Sequence, residues 1–334
     1  MSESGLLALL SSVLGEAGAR KAFAQLHVAP ELLKPQGETI SRAELAQALN
    51  MVLFVDLLER VPAGAAYVAD RQRAGERVVF DHGALRTVAW PSGDLPPGEA
   101  AITRVLRPLG FEHAETYPLT RLQMTGRSWR HADLPEDIAQ FFVSELHPEN
   151  FSPIFQAAVT RVIGESSDPL SAGDLALLEQ LARDKSLPAV AAQLLLPKLK
   201  ACFERQHRLF ELSDYELLRA ESAEMAWIAT EGNAFNHATD RVSNLDALAD
   251  LQRALGRPIK DSIETSASGR VRQTALRAAA VERVFLHAGE RVTREVPGSF
   301  YEFIERAQDG AGLDLRFDAA NATGIFKMTA AETC

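Results

Sequence analysis

The chain has little cysteine, no cluster of basic residues and no apolar run long enough to cross a membrane. Its 334 residues include two cysteines, Cys202 and Cys334, whose spacing excludes a cysteine-based metal site and a disulfide scaffold. The formal net charge of -10, without a basic tail, argues against nucleic-acid binding. The apolar stretch near the N-terminus is too short for a bilayer and follows an acidic residue, Glu3, instead of a basic one. These absences favour a globular protein of the reducing cytoplasm that binds neither nucleic acid nor a membrane.

An internal repeat is the strongest positive feature of the sequence. The pattern His-x-x-x-Arg occurs in DHGALRTVAW, with His82 and Arg86, and again in NHATDRVSNL, with His237 and Arg241. Each copy then reaches a Leu-Gly pair, at 109–110 and at 255–256. Because repeated structural units place equivalent residues at equivalent positions, the two histidines are expected to play matching roles.

Hydrophobic periodicity and turn residues divide the chain into four segments. The pair Ser41 and Glu44 forms a capping box that predicts the start of a long helix. The predicted segments are an N-terminal helical segment (1–62), a first module of strand, helix and three strands (76–148), a helical insert (149–225), and a second such module with a C-terminal closing segment (226–334).

Two histidines and one carboxylate that share a face and leave open coordination positions are typical of non-heme Fe(II) sites. A lone histidine on a strand is more often a hydrogen-bonded core residue, and only the repeat reverses that preference for His82 and His237. Strand alternation places Glu302 on an apolar face, where an unpaired carboxylate is costly to bury, so Glu302 is the predicted third ligand. An ion pair between Glu302 and an arginine is the alternative. Glu295 precedes Pro297-Gly298 and is expected in a turn.

Arginines are the expected clamps for an acidic substrate, since the guanidinium fork matches a carboxylate. Arg86 shares a strand face with His82, which makes it the candidate catalytic and substrate-binding arginine. Arg241 is its equivalent in the repeat, although a structural salt bridge is equally open. Gln273 is a candidate substrate-lining residue, against a simple cross-strand hydrogen bond. Phe326 is a candidate aromatic lid, against an ordinary core position.

The order of these elements resembles the βαβββ module of the vicinal oxygen chelate superfamily, in which two modules form a half-open barrel around a metal. The combination of DHGALRT, EGNAFNHATDRV, SGRVRQTAL and VPGSFYEFIER is more closely similar to the 2-oxoadipate dioxygenase/decarboxylases, also called 2-hydroxyglutarate synthases. The resemblance implies an α+β fold with two such modules, N-terminal helices and a central helical insert. It also implies that Fe(II) is the cofactor and that Arg86 binds the substrate.

The implied reaction converts 2-oxoadipate and O2 to 2-hydroxyglutarate and CO2, with a role in lysine breakdown. The partners are then a small 2-oxo diacid and O2, while the chain length of the acid and the oligomeric state stay open. Other metalloenzymes of the superfamily, glyoxalase-type isomerases and extradiol dioxygenases, remain alternatives. An additional inward Glu or His from the first module would favour an isomerase, and Glu145 is the only candidate acid near the counterpart of Glu302 in DIAQFFVSELHP. A metal-free protein that binds small molecules is a further alternative.

Overall fold

The computed structural model describes residues 4–35, 37–310 and 312–318. The helices in these residues are α1 (Gly5–Gln25), α2 (Arg42–Arg60), α3 (Pro62–Arg73), α4 (Ala100–Leu106), α5 (Pro153–Ile163), α6 (Ala172–Asp184), α7 (Ala189–Ala201), α8 (Leu212–Glu221), α9 (Ala223–Glu231) and α10 (Leu245–Ala254). The strands are β1 (Thr39–Ser41), β2 (Phe80–Val88), β3 (Phe111–Leu119), β4 (Met124–His131), β5 (Gln140–Leu146), β6 (Ser186–Pro188), β7 (His237–Arg241), β8 (Glu264–Thr265), β9 (Val271–Leu276), β10 (Ala280–His287), β11 (Glu290–Pro297), β12 (Phe300–Arg306), β13 (Gln308–Asp309) and β14 (Gly312–Leu313).

One curled sheet of eight strands organises the molecule, in the order β3-β4-β5-β2-β7-β12-β9-β8. The two modules meet where β2 pairs antiparallel with β7. Each of these strands pairs in parallel with the last strand of its own module, β2 with β5 and β7 with β12. The register at the centre is symmetric, since His82 lies opposite Thr239 and His237 lies opposite Ala84. The sheet therefore has an approximate two-fold arrangement that brings both histidines to its middle.

The predicted fold class is confirmed. The first module runs β2-α4-β3-β4-β5, and the second repeats it as β7-α10-β8-β9-β12. The second module differs because the hairpin β10-β11 is inserted before its last strand and forms a separate two-stranded sheet. The repeated Leu-Gly pairs follow the two equivalent helices, where Gly110 and Gly256 take positive φ angles of 94° and 69°. Glycine adopts this backbone conformation without steric cost, which explains its recurrence there.

Local sequence explains how the central strand reaches its position. The predicted capping box is present, with the Ser41 side chain accepting from the Glu44 backbone N–H and starting α2. Every residue of β2 is buried, because β2 lies mid-sheet beneath the helices. Gly83 allows a close approach, since a Cβ there would lie 2.2 Å from the Phe235 ring. The packing of α2 and its neighbours on one sheet face leaves the other face for the site.

The turn predicted at Glu295 is wrong. Glu295 lies within β11 and pairs with Glu282 of β10. The hairpin buries Phe285 and Val296 and leaves most of its remaining side chains partly or fully exposed. A strand whose charged residues face solvent has no apolar alternation along most of its length, so the sequence did not identify it.

The N-terminal helices and part of the helical insert share one apolar core with the sheet. Leu10 of α1, Leu195 of α7 and Phe303 of β12 all belong to this core. The four-segment division therefore remains a prediction. No helix among residues 4–35, 37–310 and 312–318 has the length and apolarity needed to cross a membrane. Phe326, the predicted lid, lies outside the described residues.

Candidate metal centre

Three neighbouring strands bring the predicted ligand residues together. His82 comes from β2, His237 from β7 and Glu302 from β12. Their candidate ligand atoms all lie within 4.8 Å of one another. The parallel pairing of β7 with β12 sets Glu302 beside Thr239, which in turn lies opposite His82. The register of three adjacent strands thus defines the geometry of the cluster.

The histidine nitrogens converge on one carboxylate oxygen. Nε2 of His82 lies 3.4 Å from Oε2 of Glu302, and Nε2 of His237 lies 3.2 Å from the same oxygen. The hydroxyl of Thr239 donates to this oxygen at 2.7 Å and lies 3.1 Å from Nε2 of His82. The three ligand residues are 5% exposed or less. Atoms that share a metal at about 2.1 Å are roughly 3 Å apart when they subtend a right angle, so these distances suit a common ion.

A second set of polar groups orients the imidazole rings from behind. Nδ1 of His82 is 2.8 Å from Oδ1 of Asp81, and Nδ1 of His237 is 2.9 Å from the side-chain amide of Asn236. At His237 the atom beside Nδ1 is the Asn236 amide nitrogen, which only donates, and the Asn236 Oδ1 has no hydrogen-bond partner within the described residues, so the amide must turn over to keep a proton on Nδ1. At His82 the Asp81 carboxylate keeps the proton on Nδ1, which leaves the lone pair of Nε2 directed into the cluster. This is the usual way in which proteins orient a metal-binding histidine.

The buried charges of the cluster shift each other's pKa values. Burial would raise the pKa of Glu302, but the charge of His237 and hydrogen bonds to both histidines hold it well below its usual range. Burial would lower the pKa of His82, yet hydrogen bonds to Asp81 and Glu302 raise it. The pKa of His237 is lowered, because burial outweighs the attraction of Glu302. Glu302 is therefore ionised, as a metal ligand must be.

The donor set fits a divalent transition ion. Oε1 of Glu302 is buried and has no hydrogen-bond partner within the described part of the chain. An unsatisfied buried carboxylate oxygen is costly unless an ion or another group satisfies it. Two imidazoles and one carboxylate with open positions match the ligand preference of Fe(II) and related ions.

The first module does not supply a matching carboxylate. Glu302 lies opposite Thr239 on β7, and the symmetric position on β5, opposite Ala84 of β2, is occupied by Phe142. Glu145 instead accepts from the backbone N–H of Glu99 and pairs with Arg127. The metal-ligand groups found among the described residues consist of this single cluster of three. The acid that would indicate an isomerase is therefore directed elsewhere.

Arg86 is fully buried on β2, on the strand face of His82. Its guanidinium lies 4.9 Å from the ring centroid of Trp227. The Trp227 indole is fixed because its N–H donates to the backbone carbonyl of Gly298 at 3.0 Å. Burial lowers the pKa of Arg86 to about 10, against the attraction of Glu224, so the group is still a cation at neutral pH. The structure thus places a positive charge in the interior, on the strand that also carries His82.

The other two predicted substrate residues make structural contacts. Arg241 donates to the backbone carbonyl of Glu136 at 2.8 Å, and its Nε is 3.8 Å from Asp81. Gln273 is buried on the same sheet face as Glu302, but its amide donates to Glu264 on the neighbouring strand at 3.3 Å. The alternatives weighed for both residues, a salt bridge and a cross-strand hydrogen bond, are the contacts that the structure contains. Their roles toward a substrate remain predictions.

Several residues of the site were not predicted from the sequence. Asp81 and Asn236 precede the two histidines, and the repeated Asp-His and Asn-His pairs carry a signal that would have identified them. Thr239 could be recognised as a site residue only from the pairing register of β7 with β2 and β12. Phe317 packs edge-on against the His82 ring, with centroids 4.8 Å apart, although the sequence pointed to Phe326 as the aromatic residue of this region.

The fold and the cluster define a candidate metal site at the centre of a two-module half-barrel. Residues 43–327 match the model of the 2-oxoadipate dioxygenase/decarboxylase family, and the chain belongs to this family. The family is a family of enzymes. None of the curated proteins matches the sequence.

Solved structures share the fold of this chain. A protein assigned to the glyoxalase superfamily from Ralstonia eutropha JMP134 is 56% identical, with 94% of this chain and 98% of that chain covered and a TM-score of 0.91. The hydroxyglutarate synthase of Oryza sativa in complex with 2-oxoadipate is 17% identical, with coverage of 89% and 97% and a TM-score of 0.69. The Pseudomonas putida hydroxyglutarate synthase with 2-oxoadipate is 19% identical, with coverage of 89% and 75% and a TM-score of 0.64. The two synthases are similar in fold.

Proposed function

We propose that this protein is an Fe(II)-dependent dioxygenase that converts 2-oxoadipate and O2 to 2-hydroxyglutarate and CO2. The observation that carries the proposal is the buried cluster of His82, His237 and Glu302, whose three ligand atoms come within 4.8 Å in a member of this family. A role in lysine breakdown is part of the proposal, because it follows from the substrate.

The residues around the cluster have separable tasks. His82, His237 and Glu302 would hold the ion, and Asp81 keeps the His82 ring in the binding orientation. Bound there, Fe(II) would supply the redox chemistry for O2 and open positions for the carboxylate and keto oxygens of the substrate. Beside it, Ala84, Tyr117, Phe142 and Phe317 form an apolar wall that excludes water.

Arg86 supports the choice of a diacid. A 2-oxo diacid places a second carboxylate several bonds from the group that chelates the metal. A buried anion needs a cationic partner, and Arg86 is a buried cation on the strand face of His82. Trp227 restricts the guanidinium from its flat side, so Arg86 is preorganised to bind that carboxylate.

The proposed reaction is balanced without another reductant. The carboxylate next to the keto group leaves as CO2, and the keto carbon becomes the new carboxylate by taking one oxygen atom of O2. The adjacent methylene carbon takes the other atom and becomes the hydroxyl-bearing carbon. The substrate thus supplies all the electrons that reduce O2.

The test begins with protein purified and loaded with Fe(II) without oxygen. Oxygen uptake is measured with 2-oxoadipate and with 2-oxohexanoate, the monoacid of the same chain length. We expect uptake with the diacid, one CO2 per O2 and 2-hydroxyglutarate by mass spectrometry. With isotopically labelled O2, the product should carry one label in its carboxylate and one in its hydroxyl. Product formed without O2, or iron-loaded protein that consumes none with either acid, would rule out the proposal.

A glyoxalase-type isomerase is the second candidate, because the 56% identical protein is assigned to that superfamily. An isomerase needs no O2 and releases no CO2, and Phe142 occupies the place where a second carboxylate ligand would be expected. Turnover of a glutathione hemithioacetal by Ni(II)- or Zn(II)-loaded protein under nitrogen, with no oxygen-dependent reaction of 2-oxoadipate, would favour this candidate.

A further inference from the structure

Arg306 connects the metal cluster to the C-terminal end of the described chain. Its side chain is 0% exposed and lies on β12, on the same strand face as Glu302. Nε and Nη2 donate to the two carboxylate oxygens of Asp81 at 2.9 and 2.8 Å. Nη1 donates to the backbone carbonyls of Asp314 and Arg316 at 2.9 and 2.7 Å. One guanidinium therefore binds a side chain behind a proposed ligand and a separate stretch of backbone.

Asp81 is shared between Arg306 and His82. Its Oδ1 lies 2.8 Å from both Nη2 of Arg306 and Nδ1 of His82. The register of β2 against β7 shifts between Phe80 and His82, so Asp81 sits at a β-bulge. A bulge redirects a side chain relative to regular alternation, and here it lets Asp81 join His82 in one hydrogen-bonded group. The orientation of His82 thus depends on the position of Arg306.

Residues 312–318, which we call the C-terminal strap, cross the site beside His82. The Leu315 carbonyl accepts from the Gln140 side chain at 3.1 Å, and Gln140 is the neighbour of His82 on β5. The Phe317 N–H donates to the Tyr117 hydroxyl at 3.0 Å. The Phe317 ring contacts the rings of His82 and Phe142, with centroid distances of 4.8 and 5.0 Å, and lies 5.1 Å from the Arg306 guanidinium. The strap therefore packs directly against the cluster on the His82 side.

We propose that Arg306 is a positioning residue that couples metal binding at His82 to docking of the C-terminal strap over the site. An ion on Nε2 of His82 fixes the imidazole, the imidazole fixes Asp81, and Asp81 fixes the guanidinium on which the strap carbonyls rest. Because coupling between two binding events is reciprocal, a docked strap must also strengthen metal binding. The inference rests on the proposed function only in assuming that the cluster binds a divalent ion.

The test compares Arg306→Lys with wild-type protein, because lysine keeps the charge but has a single ammonium that cannot reproduce the planar fork. Arg272→Lys is the matched control, since Arg272 also makes a two-pronged contact with an aspartate, Asp246, at the surface. The affinity for Mn(II), which needs no exclusion of oxygen, is measured by calorimetry. Hydrogen exchange of residues 312–318 is measured with and without Mn(II).

In wild-type protein and in Arg272→Lys, Mn(II) should slow exchange across the strap. In Arg306→Lys the dissociation constant for Mn(II) should rise about ten- to hundredfold, the usual effect of removing a group that orients a metal ligand. Saturating Mn(II) should then no longer slow exchange of the strap. Asp81→Asn removes the carboxylate that joins Arg306 to His82. It should likewise weaken Mn(II) binding and abolish the metal-dependent protection of the strap, so the test remains decisive if Arg306→Lys folds poorly.

Two results would overturn the coupling alone. One is a wild-type protein that binds Mn(II) and turns over 2-oxoadipate while exchange of the strap is unchanged by the metal. The other is an Arg306→Lys variant whose affinity and metal-dependent protection equal those of wild type. Wild-type protein that binds neither Mn(II) nor Fe(II) would instead reject the metal site itself, and the proposed function with it.

Discussion

Glu302 and Glu295 both lie on strands of the second module, but their surroundings differ. Glu302 is 0% exposed between two histidines, whereas Glu295 is exposed on the β10-β11 hairpin opposite Glu282. Glu302→Ala should abolish metal binding and oxygen uptake, because it removes the only carboxylate of the described cluster. Glu295→Ala should keep both. Metal content and turnover of the two purified variants check this, and an inactive Glu295→Ala beside an active Glu302→Ala would reverse the assignment.

Arg86 allows a test of substrate choice at a single residue. Arg86→Leu removes the partner proposed for the distal carboxylate, so kcat/KM for 2-oxoadipate should fall by about a hundredfold or more, as expected when about 3–5 kcal/mol of charge-assisted hydrogen bonding is lost. The loss should be much smaller for 2-oxohexanoate, which has no distal carboxylate. Steady-state kinetics with both acids measure the difference.

Arg241→Leu serves as the comparison for Arg86→Leu, because Arg241 is its equivalent in the repeat and contacts Glu136 and Asp81 instead. Equal losses for the monoacid and the diacid in Arg86→Leu would place Arg86 at the carboxylate next to the keto group. A diacid-specific loss in Arg241→Leu would transfer the role to that residue.

Single residues were predictable where the sequence repeats or alternates. The two histidines emerged from the repeat and Glu302 from strand alternation, because both patterns report which way a side chain points. The role of Asp81 was not predictable, because a β-bulge interrupts the alternation of side chains and a single sequence does not show where a bulge occurs. The role of Arg306 was not predictable for a different reason. Its backbone partners in the C-terminal strap come after a turn, and local periodicity does not predict where the chain goes after that turn.

Helices and strands, like single residues, were predictable only where a local pattern marks them. The strand of His82 and the helix that precedes Gly110 were predictable because apolar periodicity and glycine mark them. The hairpin strand β11 was not, because most of its side chains face solvent and the strand has little apolar alternation. The pairing of β2 with β7, which brings the histidines together, is a contact between distant segments that no local pattern specifies.

One contact between elements should be visible in the pH dependence of stability. Asp240 on β7 accepts from the Tyr67 hydroxyl on α3 at 2.6 Å and from the backbone N–H of Val79 at 3.0 Å. Burial raises the pKa of Asp240 to about 7. The folded protein then binds a proton more tightly than the unfolded chain, so this contribution to stability is complete below pH 4 and is lost as the pH rises to about 7.

Denaturant unfolding of wild-type protein and Asp240→Asn across this pH range measures the contribution. The difference between the two proteins should change by up to about 1.4 kcal/mol per pH unit, with wild type losing stability relative to the variant as the pH rises. The amide that replaces the carboxylate in this variant retains an acceptor for the Val79 N–H and has no charge to titrate. A difference that is constant between pH 4 and 7, or that changes in the opposite direction, would contradict a raised pKa for Asp240.

At the scale of the whole molecule, the site depends on a symmetry that is broken at one position. The two modules contribute equivalent histidines, but the second contributes Glu302 where the first has Phe142. A symmetric pair of carboxylates would fill a fourth ligand position. The phenylalanine leaves that side apolar and supplies no fourth protein ligand. Duplication thus accounts for the paired histidines, and divergence between the copies for the three-ligand set.

An ion bound by the cluster would crosslink the modules, since His82 belongs to the first and His237 and Glu302 to the second. A ligand that binds only the folded state stabilises it by about 2.7 kcal/mol at a concentration of 100 times its dissociation constant. Mn(II) or anaerobic Fe(II) should therefore raise the unfolding midpoint of the wild-type protein by several degrees. His82→Ala and His237→Ala should each lose this shift while remaining folded. Glu145→Gln should keep it, because Glu145 contacts Glu99 and Arg127 instead of the cluster. Scanning calorimetry of wild type and the three variants, with and without metal, measures the shift of the unfolding midpoint. A metal-induced shift that persists in either histidine variant would mean that the stabilising ion binds somewhere other than between the two modules.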